Sequence, residues 1–337
     1  MNNKRIISSW RFAALFSCFF IFFQSYGQDT LLTTLPDSAT LSFKDTTKQN
    51  PFKSHYNKKR VRLVTTGNII GYGGTMAALY ATWYSHYPQS NFHFFDDNSE
   101  WKQVDKVGHS YSAYIESYGS MEMWQWTGMS RRKSAWVASL SALSYQTLIE
   151  TLDAFSAEWG WSWGDMGANV FGSGLFLSQE LAWNEQRIKY KFSFHKQDYG
   201  SKELNGRADK VFGSSLQERM LKDYNGQTYW LSANLKSFMP KSNVPAWLSV
   251  AFGYGAEGLY GAEENVGKDD LGNITFERRD IPRYRQYFLS PDIDLTKIKT
   301  KSKFIKFSLG VLNAFKFPMP SLEYNSKGQF AFHFLHF

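Results

Sequence analysis

In the stretch "VDKVGHSYSAY", Asp105 and His109 stand four residues apart, so on a helix both polar heads fall on one face. The spacing recurs downstream. "YQTLIETLDAF" stacks Gln146 with Glu150, and Asp153 follows three residues later, while "WGDMGANVFGSG" stacks Asp165 with Asn169 and reaches Gly172 within another turn. Polar groups on otherwise apolar faces must find partners on burial, because an unpaired one costs about 1–3 kcal/mol. One inward cluster of Asp105, His109, Glu150, Asp165 and Asn169 would satisfy all of them. Three readings of that cluster are open. In the first, His109 is a general base oriented by Asp105, acting in hydrolysis or transfer at a lipid-linked or cell-wall substrate. In the second, His109 and the acids hold a metal, although no His-Glu-x-x-His spacing accompanies them. In the third the set is structural, with Asp165 after Gly164 as a helix N-cap and His109 a hydrogen-bonded core residue. No cofactor is expected, since the chain has no Walker loop and no G-x-S-x-G elbow. "GYGAEG", Gly253 to Gly258, imitates a dinucleotide fingerprint, but no βαβ unit surrounds it, and a tight strand bend is the better reading.

The segments that must position these residues read as helices. Leu63 to Ser85 is an uncharged stretch preceded by Lys58, Lys59, Arg60 and Arg62, long enough to span a bilayer. Thr, Gly, Asn and Tyr dilute it, so a helix buried in protein is the competing reading. Three further helical segments follow at about 101–126, 131–155 and 164–186, and four helices with short connections predict a four-helix bundle over 58–186. The small-residue pairs Gly67/Gly71 and Ala168/Gly172 would let helix backbones approach closely. Trp159, Trp161 and Trp163 form an extended lead-in to the last helix, their rings at the lip of the bundle.

Beyond Gln186 the period switches from 3.6 to 2. "IKYKFSFHK" alternates Ile188, Tyr190, Phe192 and Phe194 with Lys189, Lys191, Ser193 and His195, which predicts a one-sided strand. Similar alternation marks 228–236, 246–254, 283–290, 304–312 and 329–337. The fold class is therefore α+β: an N-terminal four-helix bundle followed, over 187–337, by a C-terminal antiparallel β-sheet or small β-barrel. Aromatic-rich strands ending on Phe337 resemble bacterial outer-membrane barrels.

The ordered set Asp-Lys-x-x-His (Asp105, Lys106, His109), then Glu150, then Asp-x-x-x-Asn-x-x-Gly (Asp165, Asn169, Gly172) resembles the predicted periplasmic lipoprotein domain of unknown function found in Gram-negative envelope proteins. It is similar, more distantly, to the VanZ-like membrane domain. The resemblance covers residues 65 to 185 and stops before the strands. It implies an envelope architecture and these site residues, but no reaction.

The ends and the composition agree with export. Three basic residues, the apolar run Phe12–Phe23 and the small residues Ser25 and Gly27 make residues 1–27 a signal peptide, with cleavage after Gly27. Cys18 lies inside that run with five apolar residues beyond it, so lipid attachment there is not expected, and the mature chain has no thiol. Residues 28–57, rich in Thr, Ser, Asp and Lys, read as a flexible tether. The formal charge of +8 loses Lys4, Arg5 and Arg11 with the signal, and 8 − 3 leaves +5 on the mature chain. That balance suits an anionic membrane surface and is too modest and scattered for nucleic acid. Aromatics are 18% of the chain, and amphipathic rings concentrate where one end is dry and the other wet. The function expected is an exported cell-envelope protein at the outer membrane or in the periplasm. Membrane lipids are its expected partners, in a structural or accessory role, and the alternative is an enzyme on a lipid-linked substrate.

Overall fold

The computed structural model describes residues 57–336 apart from Trp83 and Asp270. The expected signal peptide, Cys18, all of the tether but Asn57, and the terminal Phe337 lie outside the described residues. Four helices come first: α1 (Lys58–Thr82), α2 (Val104–Trp126), α3 (Arg131–Ala154) and α4 (Trp163–Trp183). Only α2, α3 and α4 pack along their lengths. Their contact faces carry small residues, Ser110, Ala113, Ser117 and Ser120 on α2, Ala135, Ala138 and Ala142 on α3, and Gly172 and Ser173 on α4. The helices approach so closely that a Cβ on Gly172 would stand 2.0 Å from the Ser110 carbonyl oxygen.

The expected four-helix bundle is thus a three-helix bundle with α1 on its flank. α1 is tied on by Arg60 donating to the Trp126 carbonyl at 3.2 Å, by Tyr145 donating to Thr75 at 2.9 Å, and by the Tyr72 and Tyr145 rings 4.9 Å apart. Leu63, Ile69 and Ile70 stay exposed, and a Cβ on Gly71 would meet nothing within 4 Å among the described residues, so no backbone comes close at Gly71.

The C-terminal half follows as β1 (Ile188–Phe194), α5 (Lys202–Phe212), α6 (Leu216–Lys222), β2 (Gln227–Asn234), α7 (Leu235–Phe238), β3 (Leu248–Glu257), the hairpin β4 (Val266–Lys268) and β5 (Ile274–Glu277), β6 (Tyr284–Ile293), α8 (Lys303–Leu312), β7 (Met319–Asn325) and β8 (Phe330–His336). Six strands form one antiparallel sheet in the order β1-β2-β3-β6-β7-β8. One face carries Tyr190 and Phe192 of β1 and Tyr229 of β2, which pack on Tyr111 and Tyr114 of α2. That contact joins bundle to sheet.

The other face is concave. The His336 ring of β8 lies 4.4 Å from Phe288 of β6 and 5.6 Å from Trp230 of β2, so strands that are not neighbours meet across the curl. Lys189 and Lys191, read from the alternation as the solvent side of β1, are instead buried there. Lys191 pairs with Asp292 at 2.7 Å, both side chains 0% exposed, and Lys189 pairs with Asp294 at 2.7 Å. Along its free edge, β1 bonds the chain before β7: the Phe192 N–H donates to the Ala314 carbonyl at 3.0 Å, and the Lys316 N–H donates to the Phe192 carbonyl at 2.9 Å. Among the described residues β1 and β8 share no ladder, so the sheet is strongly curled but not a closed barrel.

The segment 304–312, read as a strand, is helix α8. Its apolar residues Phe304, Ile305, Leu309 and Leu312 recur at helical spacing, and Ser302 caps it by accepting from the Ile305 N–H. The strand that precedes the last one is β7. Gly253 lies mid-strand in β3, where a Cβ would stand 2.7 Å from the Trp230 ring, and Gly258 ends the strand at φ +78°, so "GYGAEG" is a strand and its bend rather than a phosphate loop.

Candidate functional site

Helix α4 begins at a point fixed from several sides. Ser162, not Asp165, is its N-cap, and it accepts from the Asp165 N–H at 3.1 Å. Asp165 therefore sits in the first turn with its carboxylate free to turn toward α2. Gly164 leaves the room it needs: a Cβ there would stand 2.2 Å from Asn98 Oδ1 and 3.0 Å from Lys106 Cε. Through that gap the Lys106 ammonium meets Asp97 at 2.6 Å, Asp165 at 2.8 Å and Asp105 at 3.3 Å.

His109, one turn along α2, stands between two acids. Its Nδ1 is 3.6 Å from Glu150 Oε1 on α3 and its Nε2 3.8 Å from Asp165 Oδ1 on α4. Both separations are longer than a hydrogen bond. Donor atoms of Asp105, His109 and Asp165 all lie within 4.8 Å of one another. Asn169, one turn beyond Asp165, is fully buried, and neither side-chain atom has a hydrogen-bond partner among the described residues. His109 Nδ1 and Glu150 Oε1 are likewise buried without a hydrogen bond.

All five residues expected to cluster thus lie on the facing sides of α2, α3 and α4. Exposure grades across them, from 0% for Asn169, 1% for Glu150 and 7% for Asp165 to 21% for His109 and 26% for Asp105, so the cluster is least buried at its α2 end.

Charge is unevenly balanced here. Burial pushes the Glu150 carboxyl up to about 8 and that of Asp165 to about 7, despite His109 beside both. Burial opposes a charge on His109, but Asp105, Asp165 and Glu150 outweigh it and raise the imidazole above its ordinary value. Lys106 is likewise held above the ordinary lysine range, its burial outweighed by Asp105, Asp165 and Asp97. Burial also acts on Asp97, yet hydrogen bonds from Lys106 and Ser162 hold it below the usual carboxylate range.

Residues 93–178 match the model of a family described as a predicted periplasmic lipoprotein of unknown function. The matched segment holds Asp97, Lys106 and all five expected site residues, and it ends before the sheet. It supports an exported, periplasmic location. No curated protein and no solved structure matches the chain.

Two members of the site were not foreseen. Asp97 comes from the loop before α2, and only the acidic run "FDDNSE" signals it. Tyr224, from the loop before β2, donates its hydroxyl to Asp105 at 2.9 Å across 119 residues of sequence, and no local signal marks it. Lys106 was visible in the motif, but its role as the ionic hub depends on Asp97 and Asp165 arriving from elsewhere. Gln146 and Asp153 bond outside the cluster, Gln146 donating to Glu116 at 2.8 Å and Asp153 accepting from Tyr84 at 2.6 Å.

Trp159 and Trp161 lie on the expected lead-in, whereas Trp163 is already the first residue of α4. Trp161 pairs with the chain through His93 and Phe95, and the exposed Trp163 ring stacks on Phe94 at 6.2 Å.

Proposed function

We propose that this is an envelope protein seated on a lipid bilayer, the outer membrane, with its convex sheet face and helix flanks against lipid. The observation that carries the proposal is an inversion of polarity. The convex face continues from the half covered by α2 through Phe252, Leu289 and Leu322 to Phe330, Phe332 and Phe334, and all six are exposed. Phe330 and Phe334 are each 82% exposed, while the Lys191–Asp292 ion pair is sealed on the concave side. Monomeric soluble proteins rarely leave so large a contiguous apolar patch to water.

The bundle repeats the pattern. Serines and alanines face inward, and Trp136, Leu140, Leu148, Val170 and Phe171 face outward. Helix α8 buries no residue of its own, yet it displays Phe304, Ile305 and Leu312 beside the exposed Lys299, Lys301, Lys303 and Lys306. Such a pairing suits the interface of an anionic membrane. Among the described residues no helix is long and apolar enough to cross a membrane, so the contact proposed is face-on.

Flotation with vesicles of anionic and zwitterionic phospholipid tests this. The intact protein floats with the vesicles, and the triple variant Phe252→Gln, Leu322→Gln, Phe332→Gln stays at the bottom of the gradient with unchanged circular dichroism. Equal flotation of both proteins sinks the proposal.

A second reading, an enzyme on a lipid-linked substrate, is favoured by one observation: His109, its side chain 21% exposed, stands between two carboxylates. It requires turnover of a detergent-solubilised lipid-linked substrate that His109→Gln abolishes while melting stays at the wild-type value.

A further inference from the structure

We propose that Asp105, His109 and Asp165 bind one divalent transition-metal ion of the Zn²⁺ or Mn²⁺ class, with Glu150 facing the Nδ1 side of the His109 ring.

The donor set is one imidazole and carboxylates, the mixture that suits borderline ions over Ca²⁺ or Mg²⁺, which prefer all-oxygen sites. The three donor atoms lie within 4.8 Å of one another. Bonds of roughly 2.0–2.2 Å place three donors around one ion about 3.4–3.6 Å apart. The set therefore has to contract by about 1 Å, a movement within the reach of side-chain rotation on α2 and α4.

The cluster also lacks what an ion would bring. Four carboxylates, of Asp97, Asp105, Glu150 and Asp165, gather around one lysine ammonium and one imidazole. Glu150 Oε1 is buried, unbonded and aimed at His109 Nδ1 from 3.6 Å, and Asn169 is wholly buried on the Asp165 face with both polar atoms unpaired. Native interiors seldom leave so many polar atoms unsatisfied side by side. A structural hydrogen-bond network would have closed these gaps by direct contact, whereas an ion pulls Asp165 and His109 together.

Lys106 is the ion's competitor. It now neutralises Asp165 at 2.8 Å, and it can remain on Asp97 at 2.6 Å when Asp165 turns to the metal. This gives the proposal a signature that adventitious binding to surface acids lacks, because removing Lys106 should strengthen binding. The inference rests on the site geometry alone, so it stands or falls apart from both lipid seating and any turnover.

The experiment is equilibrium dialysis of the purified protein against Zn²⁺ alone, followed by metal analysis, with a parallel Mn²⁺ titration read by electron paramagnetic resonance. One ion per chain is expected, with affinity reduced at least tenfold in His109→Gln and in Asp105→Asn, and increased in Lys106→Met. Cu²⁺ loaded as a spectroscopic probe should show nitrogen coupling that disappears in His109→Gln, and circular dichroism establishes that each variant is folded. Less than stoichiometric retention by the wild type overturns the proposal. So does a folded His109→Gln that keeps full affinity, or a Lys106→Met that binds no more tightly.

Discussion

At the residue scale the buried acids set the response to pH. Glu116 on α2 accepts from Gln146 at 2.8 Å, but burial pushes its carboxyl from 4.5 up to about 8. In the unfolded chain this group releases its proton above its ordinary value, while the fold retains it, so Glu116 lowers stability progressively as pH rises from about 4.5 to about 8. Glu116→Gln keeps an acceptor for Gln146 and has no proton to lose. Its stability should equal that of the wild type near pH 4 and exceed it by about 1–3 kcal/mol at pH 8, as read by denaturant titration. Equal slopes against pH in the two proteins would show that the Glu116 carboxyl titrates normally. The i, i+4 spacing made Asp105/His109 and Asp165/Asn169 legible as pairs, and it brought them to the facing sides of three helices. Their partners were not legible, because Asp97 and Tyr224 lie on irregular chain whose direction is set by packing and by no local period. The N-cap of α4 was misassigned for a similar reason: both Ser162 and Asp165 are good capping residues, and the bridge that pairs Trp161 with His93 and Phe95 decides between them.

At the element scale α4 shows how closely backbone approach controls the site. Gly172→Ala places a Cβ 2.0 Å from the Ser110 carbonyl oxygen, so α2 and α4 must move apart. A loss of at least about 2 kcal/mol is expected, from overpacking between two backbones. Gly174→Ala, two residues on, meets nothing within 4 Å and should raise stability by up to about 1 kcal/mol, since alanine is the better helix former. Chemical denaturation of the two variants compares them directly, and the same sign for both would refute the close approach. The helices α1 to α4 could be read from periodicity, and β1, β2, β3, β6 and β8 lie where alternation placed them within a few residues, but α5, α6 and α7 interrupt a region read as strands and turns alone. Helix α8 could not. In a ten-residue segment such as "KFIKFSLGVL" apolar residues satisfy both periods, and the choice falls to the Ser302 cap and to the lack of a partner strand. The number of helices in the bundle was hidden too, because α1 has helical residues throughout but no continuous small-residue face against the others.

At the scale of the whole molecule, the concave side of the sheet behaves as the interior and holds charges in place of aliphatic side chains. Asp292→Ala would leave Lys191 buried with only the Ile293 carbonyl as acceptor, and a loss of about 3–5 kcal/mol is expected. The double variant Lys191→Met, Asp292→Leu should recover only part of that loss in thermal unfolding in mild detergent, because Ser232 and Lys316 lose Asp292 too, and no recovery at all would mean that the Lys191 charge is not what Asp292 holds in place. The inversion was only half legible: the aromatic content announced wet–dry boundaries, but the curl that hides Lys189 and Lys191 is a property of six strands together. The pairing of β1 with Ala314 and Lys316 also bears on the time course of folding. Phe192 meets residues more than 120 positions later in the chain, so the edge of β1 must wait until nearly the whole polypeptide is present. Contacts of such long sequence separation slow folding and prolong the exposure of unpaired strand edges. A chain delivered N-terminus first would therefore complete its bundle early and its sheet late, leaving β1 open to capture by a chaperone, or by another copy, for the interval between.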